Sequence, residues 1–423
     1  MSTATPSLTD PRPWYKQVTR AQWRAFFAAY LGWMLDGFDF TILTFLLVDI
    51  QRSFTVNNAL AGLLGTVTLV FRVAGGISAG TAADRWGRKL PLVTSIAWYS
   101  MFAFLGGFST SYVMLFACRA LFGIGMGGVW AAGMPLALEH WPPHLRGIAS
   151  GLLQGGYAVG FMLSSAAYQF LYPLVSSNPD FGWRVMLWIG VLPSLLVVWI
   201  IRSVPESPIW LERKRQLSAD KQRDGVSLRR LFDRDLLGTT IHTSLFMGAL
   251  LAMYQSVAFW YPTFLGQMQR QTLPFLVAFN LAAVFGNIVV GRLSETTLGR
   301  RGSASLATLV GVLVIPLYVL SSGTAALMLG ALAMGFATGN FGMVPGYLSE
   351  RFPTAARGAG AGFSYHVGAG IAAVTPFIIG SLQDRGLTLA GAMAMLIGIT
   401  SVLTVAVLWM GPETRGRQLH AGA

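Results

Sequence analysis

The sequence predicts an all-α polytopic membrane protein with twelve transmembrane helices in two six-helix halves, and with both termini in the cytoplasm. The first observation is composition: 54% of the 423 residues are apolar and only 11% are charged, whereas soluble domains carry roughly 25% charged residues. The second observation is a short charged pattern that occurs twice, because a repeat at a fixed distance indicates two tandem copies of one structural unit.

The repeated pattern combines glycines, acidic residues and arginines. Residues 80–89 read GTAADRWGRK and residues 291–301 read GRLSETTLGRR, so that the two copies begin 211 residues apart. Glu139 and Glu350, each seven residues before an Arg-Gly pair, are separated by the same 211 residues. Two related halves predict a site at their interface that each half can close in turn.

Twelve apolar runs of about 20 residues predict the membrane helices, because a helix of that length crosses a bilayer. The predicted spans lie near 24–48, 58–80, 90–108, 112–136, 148–171, 183–203, 239–265, 273–293, 303–322, 324–347, 357–381 and 387–411. The chain then divides into a cytoplasmic tail at 1–23, an N-terminal half at 24–203, a cytoplasmic linker at 204–238, a C-terminal half at 239–411 and a cytoplasmic tail at 412–423. The dense mixed charge of the linker is typical of an exposed amphipathic or flexible segment.

The positions of lysine and arginine give the orientation, since these residues are concentrated in cytoplasmic loops. With both termini inside, 24 of the 30 basic residues are cytoplasmic, and only Arg52, Arg184, Arg270 and Arg385 lie outside. The net charge of +13 therefore reflects membrane orientation, with anionic lipid as a further contact. We expect no nucleic acid partner, because no surface combines basic and aromatic residues as single strands require.

The segment GTAADRWGRK resembles the cytoplasmic loop signature of the major facilitator superfamily, G-x-x-x-D-R-x-G-R-K/R, at every position. Three further segments resemble patterns of that superfamily at the fourth helix and at the ends of helices six and twelve: RALFGIGMG from Arg119, PESPIWL at 205–211 and PETRG at 412–416. The resemblance implies the fold of that superfamily and transport rather than catalysis. We expect a monomer in the plasma membrane, which is the inner membrane in a Gram-negative bacterium.

A narrower resemblance concerns LDGFDF at 35–40 and FRVAGGISAGTAADR at 71–85, where an arginine precedes the loop aspartate by twelve residues. This arrangement is similar to the branch of proton symporters that carry sialate or lactate. It implies an organic acid as the substrate and the proton as the coupling ion.

Four charged side chains lie well inside the predicted spans: Asp36, Asp39, Arg72 and Arg119. Each costs roughly 2.5–3.5 kcal/mol if it is left unpaired at the centre of a membrane helix. Two acids and two bases favour pairing inside the bundle. The spacing of Asp36 and Asp39 puts both carboxylates on one face of the first helix.

Asp39 is the leading candidate for the proton carrier. In proton-coupled sugar porters, which the GFD stretch resembles, the matching aspartate pairs with the fourth-helix arginine, here Arg119. A carboxylate that leaves its arginine in a cavity of low dielectric constant takes up a proton more readily. The alternative is a static ion pair that only joins helices one and four. Asp36 is a second candidate for the same role, and a packing or hinge acid is its alternative.

Arg72 is the leading candidate for the substrate anchor, because a guanidinium binds a carboxylate through two parallel hydrogen bonds. The alternative is a permanent ion pair with Asp36 or Asp39. The C-terminal half has no deeply placed charge, and its candidate substrate contacts are polar or aromatic: Tyr254, Gln255, Asn340, Tyr365 and His366. Such groups orient a polar ligand, but they also bridge membrane helices. His366 is either a second titrating group or a packing histidine.

The resemblance of the repeated loops to those of the superfamily implies that they act as a gate. The resemblance implies a charge network that ties cytoplasmic helix ends together in the outward-open state; the alternative is that these arginines only fix orientation. The residues concerned are Gly80, Asp84, Arg85, Gly87, Arg88, Glu139, Arg146, Glu295, Arg300, Glu350 and Arg357. The second copy has Glu295 in place of aspartate and one extra residue before Gly299, so we expect a weaker network there.

The function predicted from these features is import of a small organic carboxylate with protons by alternating access, the substrate being a lactate-like monocarboxylate, a sialate or a related acid. A proton-coupled aromatic-acid or sugar porter is the alternative, although Arg72 disfavours a neutral sugar. A drug exporter is disfavoured because the fifth helix, GLLQGGYAVG at 151–160, has no proline. An enzyme is not expected, because the five histidines are scattered and no metal or nucleophile cluster occurs. No cofactor other than the proton is expected.

Overall fold

The computed structural model describes residues 13–142, 145–220, 228–353 and 356–415, whose regular elements are helices. The N-terminal helices are α1 (Arg20–Phe54), α2 (Asn58–Trp86), α3 (Lys89–Gly106), α4 (Tyr112–His140), α5 (Arg146–Phe170), α6 (Pro179–Trp188) and α7 (Pro193–Ser203). Helix α8 (Pro208–Asp220) lies in the predicted linker. The C-terminal helices are α9 (Arg234–Ala258), α10 (Tyr261–Gln267), α11 (Thr272–Leu293), α12 (Gly299–Ile315), α13 (Thr324–Ala337), α14 (Val344–Arg351), α15 (Arg357–Ala372), α16 (Thr375–Asp384) and α17 (Leu389–Met410).

Ten helical segments of the described chain are long and apolar enough to cross a membrane. Helices α3 and α5 are not among these ten, but they lie at the two remaining positions where the sequence predicts spans. The all-helical membrane architecture is therefore present, and the count of twelve spans stays a prediction.

Five of the predicted spans are interrupted helices. A proline stands at the first or second position of each new helical piece: Pro193, Pro262, Pro316, Pro345 and Pro376. Proline has no N–H to donate and its ring clashes with the preceding turn, so it fits the start of a helix better than its interior. Each of these spans was expected as a single helix.

The two halves repeat one packing arrangement. Helix α2 packs on α4 in the N-terminal half, and α11 packs on α13 at the matching positions of the C-terminal half. Backbone contact is close at both places, because a Cβ at Gly123 would overlap the carbonyl oxygen of Thr68, and one at Gly335 would overlap that of Phe279. Small residues permit such close approach between membrane helices.

The halves meet at the end of the bundle away from the repeated loops and α8; we call this the far end, and the opposite one the charged end. There, Asp384 at the end of α16 accepts hydrogen bonds from the backbone N–H groups of Asn58 (3.0 Å) and Ala59 (2.8 Å), the first residues of α2. The first N–H groups of a helix have no partner within the helix, so a carboxylate is well placed there. A Cβ at Gly62 would overlap the carbonyl oxygen of Pro376, and one at Gly380 that of Asn58. The far end is therefore closed by a tight seam.

Candidate functional site

The four charges predicted inside the spans are all buried on helices of the N-terminal half. Asp36 and Asp39 lie on α1, Arg72 on α2 and Arg119 on α4, and each side chain is at most 5% exposed. Burial of ionised groups is costly without partners, so the partners of these four residues decide what the site can do.

Asp39 and Arg119 are neighbours, but their charged groups do not form the predicted ion pair. Arg119 Nη1 donates to the backbone carbonyl oxygen of Asp39 at 3.3 Å. Asp39 Oδ2 and Arg119 Nη2 have no hydrogen-bond partner among the described residues. The carboxylate is turned toward Gly190 in the turn between α6 and α7, which explains why the guanidinium reaches the main chain instead. The acid is thus next to its arginine without being bound by it.

Asp36 is the least satisfied acid of the site. It is fully buried, and neither of its carboxylate oxygens has a hydrogen-bond partner within the part of the chain that the structure describes. Arg72 is the basic group within electrostatic reach of it. A charged side chain placed in this way within a membrane helix is a candidate for a functional role, and exchange of a proton is the role that a carboxyl group offers.

Arg72 has no permanent acidic partner in this conformation. Its Nε and Nη2 atoms are buried and lack hydrogen-bond partners over the described ranges. The guanidinium instead lies 5.2 Å from the ring centre of Trp33 and 5.9 Å from that of Tyr365. Two free donors on one edge of a guanidinium match the two oxygens of a carboxylate, so the side chain is arranged to receive an anion.

Two of the C-terminal candidates, Tyr365 and His366, lie beside Arg72. The Tyr365 ring contacts the guanidinium and also stacks on Trp130, with ring centres 4.8 Å apart and planes 6° from parallel. His366 meets Trp130 edge to face at 5.6 Å, and within the described chain neither ring nitrogen of this histidine has a hydrogen-bond partner. These contacts join α4 of one half to α15 of the other.

The other C-terminal candidates differ in position. Tyr254 lies against Phe341, with ring centres 5.8 Å apart, and is within electrostatic reach of Tyr157 and Tyr365. Gln255 is the next residue on α9 and is buried. The side chain of Asn340 donates a long bond of 3.4 Å to Thr308 on α12. Tyr254 therefore faces the Arg72 region, whereas the recorded contact of Asn340 bridges two helices within its own half.

Three aromatic residues of this region were not among the predicted site residues: Trp33, Trp130 and Tyr157. Trp33 packs on Tyr157 with ring centres 5.2 Å apart, and Tyr157 is within electrostatic reach of Asp36 and Arg72. One signal was available, because Trp33 precedes Asp36 by three residues and therefore shares its helix face. Trp130 had no such signal, since its role depends on packing against the other half.

Arg72 lies between two contacts of α2 with the C-terminal half. Toward the far end, Phe259 packs against Gly65, and a Cβ at that glycine would overlap its ring. Toward the charged end, His366 packs against Gly76, and a Cβ at Gly76 would overlap the imidazole ring. Since a helix rises 1.5 Å per residue, these contacts lie about 10 Å and about 6 Å from Arg72 along the helix. The space around the guanidinium is therefore enclosed along α2 at both sides.

At the charged end, Arg88 joins the first repeated loop to α4. Its guanidinium lies 2.5 Å from Asp84 and 3.2 Å from Glu139. Burial lowers the pKa of Arg88, but Glu139 and Asp84 outweigh this and raise it above the ordinary value. Glu206 accepts from the backbone N–H groups of Arg88 (2.9 Å) and Lys89 (3.1 Å) at the start of α3.

The second repeated loop forms an equivalent network. Arg300 lies 2.6 Å from Glu295 and 2.7 Å from Glu350, and Glu413 accepts from the N–H groups of Arg300 and Arg301 at 3.0 Å each. Arg88 and Arg300 thus each have two acidic side chains at similar distances, and the weaker second network stays a prediction. The extra residue before Gly299 is absorbed in the turn, and the longer Glu295 side chain reaches the guanidinium.

Among the described residues, the ion pairs of each network stay within one half, so these contacts brace helix ends and do not tie one half to the other. Gly87 and Gly299 have positive φ angles of 98° and 68°, a conformation that favours glycine. The guanidinium of Arg85 lies 5.6 Å from the ring centre of Trp86. Gly80 on α2 faces the side chain of Ala131 on α4. Arg146 and Arg357 are the two remaining residues of the predicted gate, and their side chains lie outside the described residues.

Sequence reasoning missed the acids that complete these networks. Glu206 and Glu413 follow the last apolar run of each half, and both stand in a Pro-Glu-Ser/Thr triplet. The next residue bonds the acid of the neighbouring helix: Ser207 donates to Glu139, and Thr414 donates to Glu350 at 2.6 Å. The signal was the recurrence of this triplet in both halves.

The chain is similar in sequence to a family of membrane transporters and to individual members of it. The profile described as Major Facilitator Superfamily matches residues 29–374. A probable 4-methylmuconolactone transporter of Cupriavidus pinatubonensis is 35% identical over 409 residues, which covers 95% of this chain and 93% of that protein. The sialic acid transporter NanX of Escherichia coli is 31% identical over 364 residues, covering 84% of this chain and 86% of that protein.

Among solved structures, the inward open conformation of the xylose transporter XylE from E. coli superposes with a TM-score of 0.74 at 19% identity, covering 94% of this chain and 98% of that one. A crystal structure of a D-xylose-proton symporter gives a TM-score of 0.72 at 20% identity, covering 94% of this chain and 100% of that one. At these identities the likeness establishes a shared fold.

Proposed function

The chain belongs to the Major Facilitator Superfamily, and from this premise we propose that it is a symporter that imports a small organic carboxylate together with protons by alternating access. It is an integral membrane transporter rather than an enzyme. Relatives named as transporters of 4-methylmuconolactone, sialic acid and cis,cis-muconate support an organic acid as the cargo.

The observation that carries the proposal is the unpartnered edge of Arg72. A buried guanidinium whose Nε and Nη2 have no partner among the described residues is unfavourable unless an anion binds there. A carboxylate fits because it accepts both hydrogen bonds in one plane. A neutral sugar would bring no negative charge to that edge, which favours an organic acid over the sugar-porter alternative.

Proton coupling is assigned to Asp36 and Asp39 with Arg119. Both acids are buried, and three of their four carboxylate oxygens have no hydrogen-bond partner in the described chain. Such groups change protonation when their surroundings change, and Arg119 is close enough to favour the ionised form in another conformation. The proton is the only coupling species proposed, with no further cofactor.

The proposed topology has twelve spans with both termini in the cytoplasm, so that the charged end is the cytoplasmic end. The tight seam then closes the external side, and the structure corresponds to an inward-facing or occluded state. The networks around Arg88 and Arg300 brace the cytoplasmic helix ends, so that the halves can meet there when the seam opens. We propose that the protein works as a monomer.

Reconstitution tests the proposal directly. Proteoliposomes with an acidic exterior should accumulate more labelled benzoate, lactate or N-acetylneuraminate than protein-free liposomes, which account for passive entry of the undissociated acid, and a protonophore should abolish this difference. Absence of uptake for every carboxylate in a broad panel would exclude the substrate class. Uptake that is insensitive to the protonophore would exclude proton coupling.

A further inference from the structure

We infer that Trp33, Trp130, Tyr157 and Tyr365 form an aromatic slot around Arg72, and that this slot selects acids whose carboxylate is conjugated to a flat apolar group. The inference rests on the proposed function, since it takes Arg72 as the group that binds the carboxylate. It narrows the cargo to planar monocarboxylates, in preference to lactate-like or polyhydroxylated acids.

The slot is built from both halves. Trp33 on α1 and Tyr365 on α15 contact the guanidinium at 5.2 Å and 5.9 Å from their ring centres. Tyr157 on α5 supports Trp33 at 5.2 Å, and Trp130 on α4 supports Tyr365 at 4.8 Å in a parallel stack. Each ring beside the arginine is therefore held in place by a second ring.

The free donors of Arg72 define the plane of the ligand. Nε and Nη2 lie on the same edge of the guanidinium, and both lack partners over the described residues. A carboxylate bound to that edge lies in the guanidinium plane. A conjugated substituent shares the plane of its carboxylate, so it extends flat into the region that the aromatic side chains line, where π faces attract each other.

A saturated or polyhydroxylated acid fits this slot less well. Its carbon next to the carboxylate is tetrahedral, so its substituents leave the plane and meet the rings.

Two packing contacts bound the slot along α2. Gly65 is packed by Phe259 on one side of Arg72, and Gly76 is packed by His366 on the other. The two glycines are separated by about 16 Å at the helical rise of 1.5 Å per residue. An acid bound to Arg72 therefore meets a ring in either direction along the helix.

The decisive experiment compares two acids of the same charge and similar size in the full-length protein. Benzoate is planar, whereas cyclohexanecarboxylate has the same number of ring carbons without conjugation. We expect benzoate to inhibit uptake of a labelled substrate at an about tenfold lower concentration, the effect that one favourable aromatic contact supplies. Lactate and N-acetylneuraminate should be weaker than benzoate.

Variants test which aromatic side chains cause the preference for benzoate. Tyr365→Leu and Trp33→Leu remove one ring each and should reduce the benzoate preference to about threefold or less, whereas Tyr365→Phe keeps the ring and should keep the preference. Phe285→Leu, at an exposed aromatic residue of α11, controls for expression and insertion. Equal potency of benzoate and cyclohexanecarboxylate in the unmodified protein would overturn the inference while uptake itself still supports the proposed function. Failure of every carboxylate to bind would overturn both.

Discussion

Asp39 presents a carboxylate that is buried beside an arginine but not bound to it. Asp39→Asn keeps the size of the side chain and removes its ability to exchange a proton, so we expect proton-driven accumulation to be lost. Exchange of labelled for unlabelled substrate across the liposome membrane should be retained in part, because exchange needs no net proton movement. Both rates are measured with the same preparation of proteoliposomes.

The matched control for this change is Asp49→Asn on the same helix. Asp49 accepts a hydrogen bond from Tyr172 near the far end and lies outside the cluster around Arg72, so its replacement should leave accumulation intact. If Asp39→Asn still concentrates substrate against a gradient, the proton assignment to Asp39 is wrong.

Arg72 is tested by a change that keeps the charge. Arg72→Lys replaces a planar fork by a single ammonium group, which cannot make two parallel bonds to a carboxylate. We expect the dissociation constant for the substrate to rise about tenfold, equivalent to about 1.4 kcal/mol. Ligand-induced thermal stabilisation of the purified protein measures the change.

The comparison for Arg72 is Arg385→Lys, at an exposed arginine beyond α16, which should bind substrate normally. Unchanged affinity in Arg72→Lys would restore the alternative in which Arg72 only pairs with Asp36 or Asp39 in another conformation.

At the scale of single residues, the charged residues of the site could be predicted from the sequence, whereas its aromatic residues Trp33 and Trp130 could not. Asp36, Asp39, Arg72 and Arg119 stand out because a charge inside an apolar span is costly and therefore rare. Trp33 and Trp130 do not stand out among 13 tryptophans and 27 phenylalanines, since aromatic rings also fill ordinary helix contacts. Only the packing of α4 against α15 distinguishes Trp130 from the others.

Among the helices, α3 and α12 are each capped at the N-terminus by a glutamate from a distant part of the chain, Glu206 and Glu413. Glu413 accepts from the backbone N–H groups of Arg300, Arg301, Thr414 and Arg415 at 2.9–3.0 Å. Burial raises the pKa of this carboxyl group, but the four N–H donors outweigh burial and hold the pKa below the ordinary glutamate value. The ionised form is thus the one that caps α12.

A pH dependence follows from that shift. Because the pKa of Glu413 is lower in the folded protein, its stabilisation is complete above the ordinary glutamate pKa of about 4.3 and is lost as the pH falls through the lower folded value. Glu413→Gln should reduce the free energy of unfolding by about 1 kcal/mol at neutral pH, a typical value for a helix cap. The difference should shrink below about pH 4.3.

Thermal unfolding of wild type and variant between pH 7 and pH 3.5 checks this expectation. Glu212→Gln, at an exposed acid of α8, should leave stability unchanged and serves as the control. A gap between wild type and Glu413→Gln that stays constant down to the lowest pH would contradict the assigned capping role.

The helices also show which parts of the fold the sequence could predict. Apolar length and the repeat predicted the ten described segments that are long and apolar enough to cross a membrane. The interruptions at Pro262, Pro345 and Pro376 were missed, because a proline marks a place where a helix can begin, bend or end, and neighbouring helices decide among these. The start of α9 at Arg234 lies within the predicted linker for a similar reason, since a helix can extend beyond the membrane into water.

For the molecule as a whole, the seam between α2 and α16 sets the conformation. A side chain at Gly62 would collide with the backbone at Pro376, so Gly62→Trp should hold the far end open and abolish transport while substrate still binds. A cysteine introduced at Ser165, which is fully buried and pairs with Thr272 of the other half at 3.4 Å, should then react at least about tenfold faster with a membrane-impermeant maleimide, because opening exposes it. Cys118 is the only cysteine of the chain, so Cys118→Ser provides the background.

The control for the seam is Gly398→Trp on α17, where a Cβ would meet no atom within 4 Å. That variant should transport substrate and leave the cysteine at Ser165 with the same low rate of reaction as in the otherwise unmodified transporter. Unaltered transport in Gly62→Trp would show that the seam opens and closes in a different way.

The conformation itself is the property that the sequence could not predict. The repeat indicates two halves and an interface, but an alternating transporter uses several arrangements of the same contacts, separated by only a few kcal/mol. One sequence encodes all of them, and the hydrogen bonds of Asp384 to α2 belong to the arrangement seen here.

Helix α2 gives the molecule a mechanical link. It is 29 residues long, about 43 Å at the rise of an α-helix, and it has no internal proline. Its first N–H groups are held by Asp384, its middle carries Arg72, and its last turn carries Asp84 of the Arg88 network. In the transport cycle that we propose, such a rod would act as a lever with the substrate anion near its pivot, so that a tilt that frees one end presses the other inward. Opening at both ends at once would require α2 to bend, and the stiffness of this helix would then oppose a leak of protons.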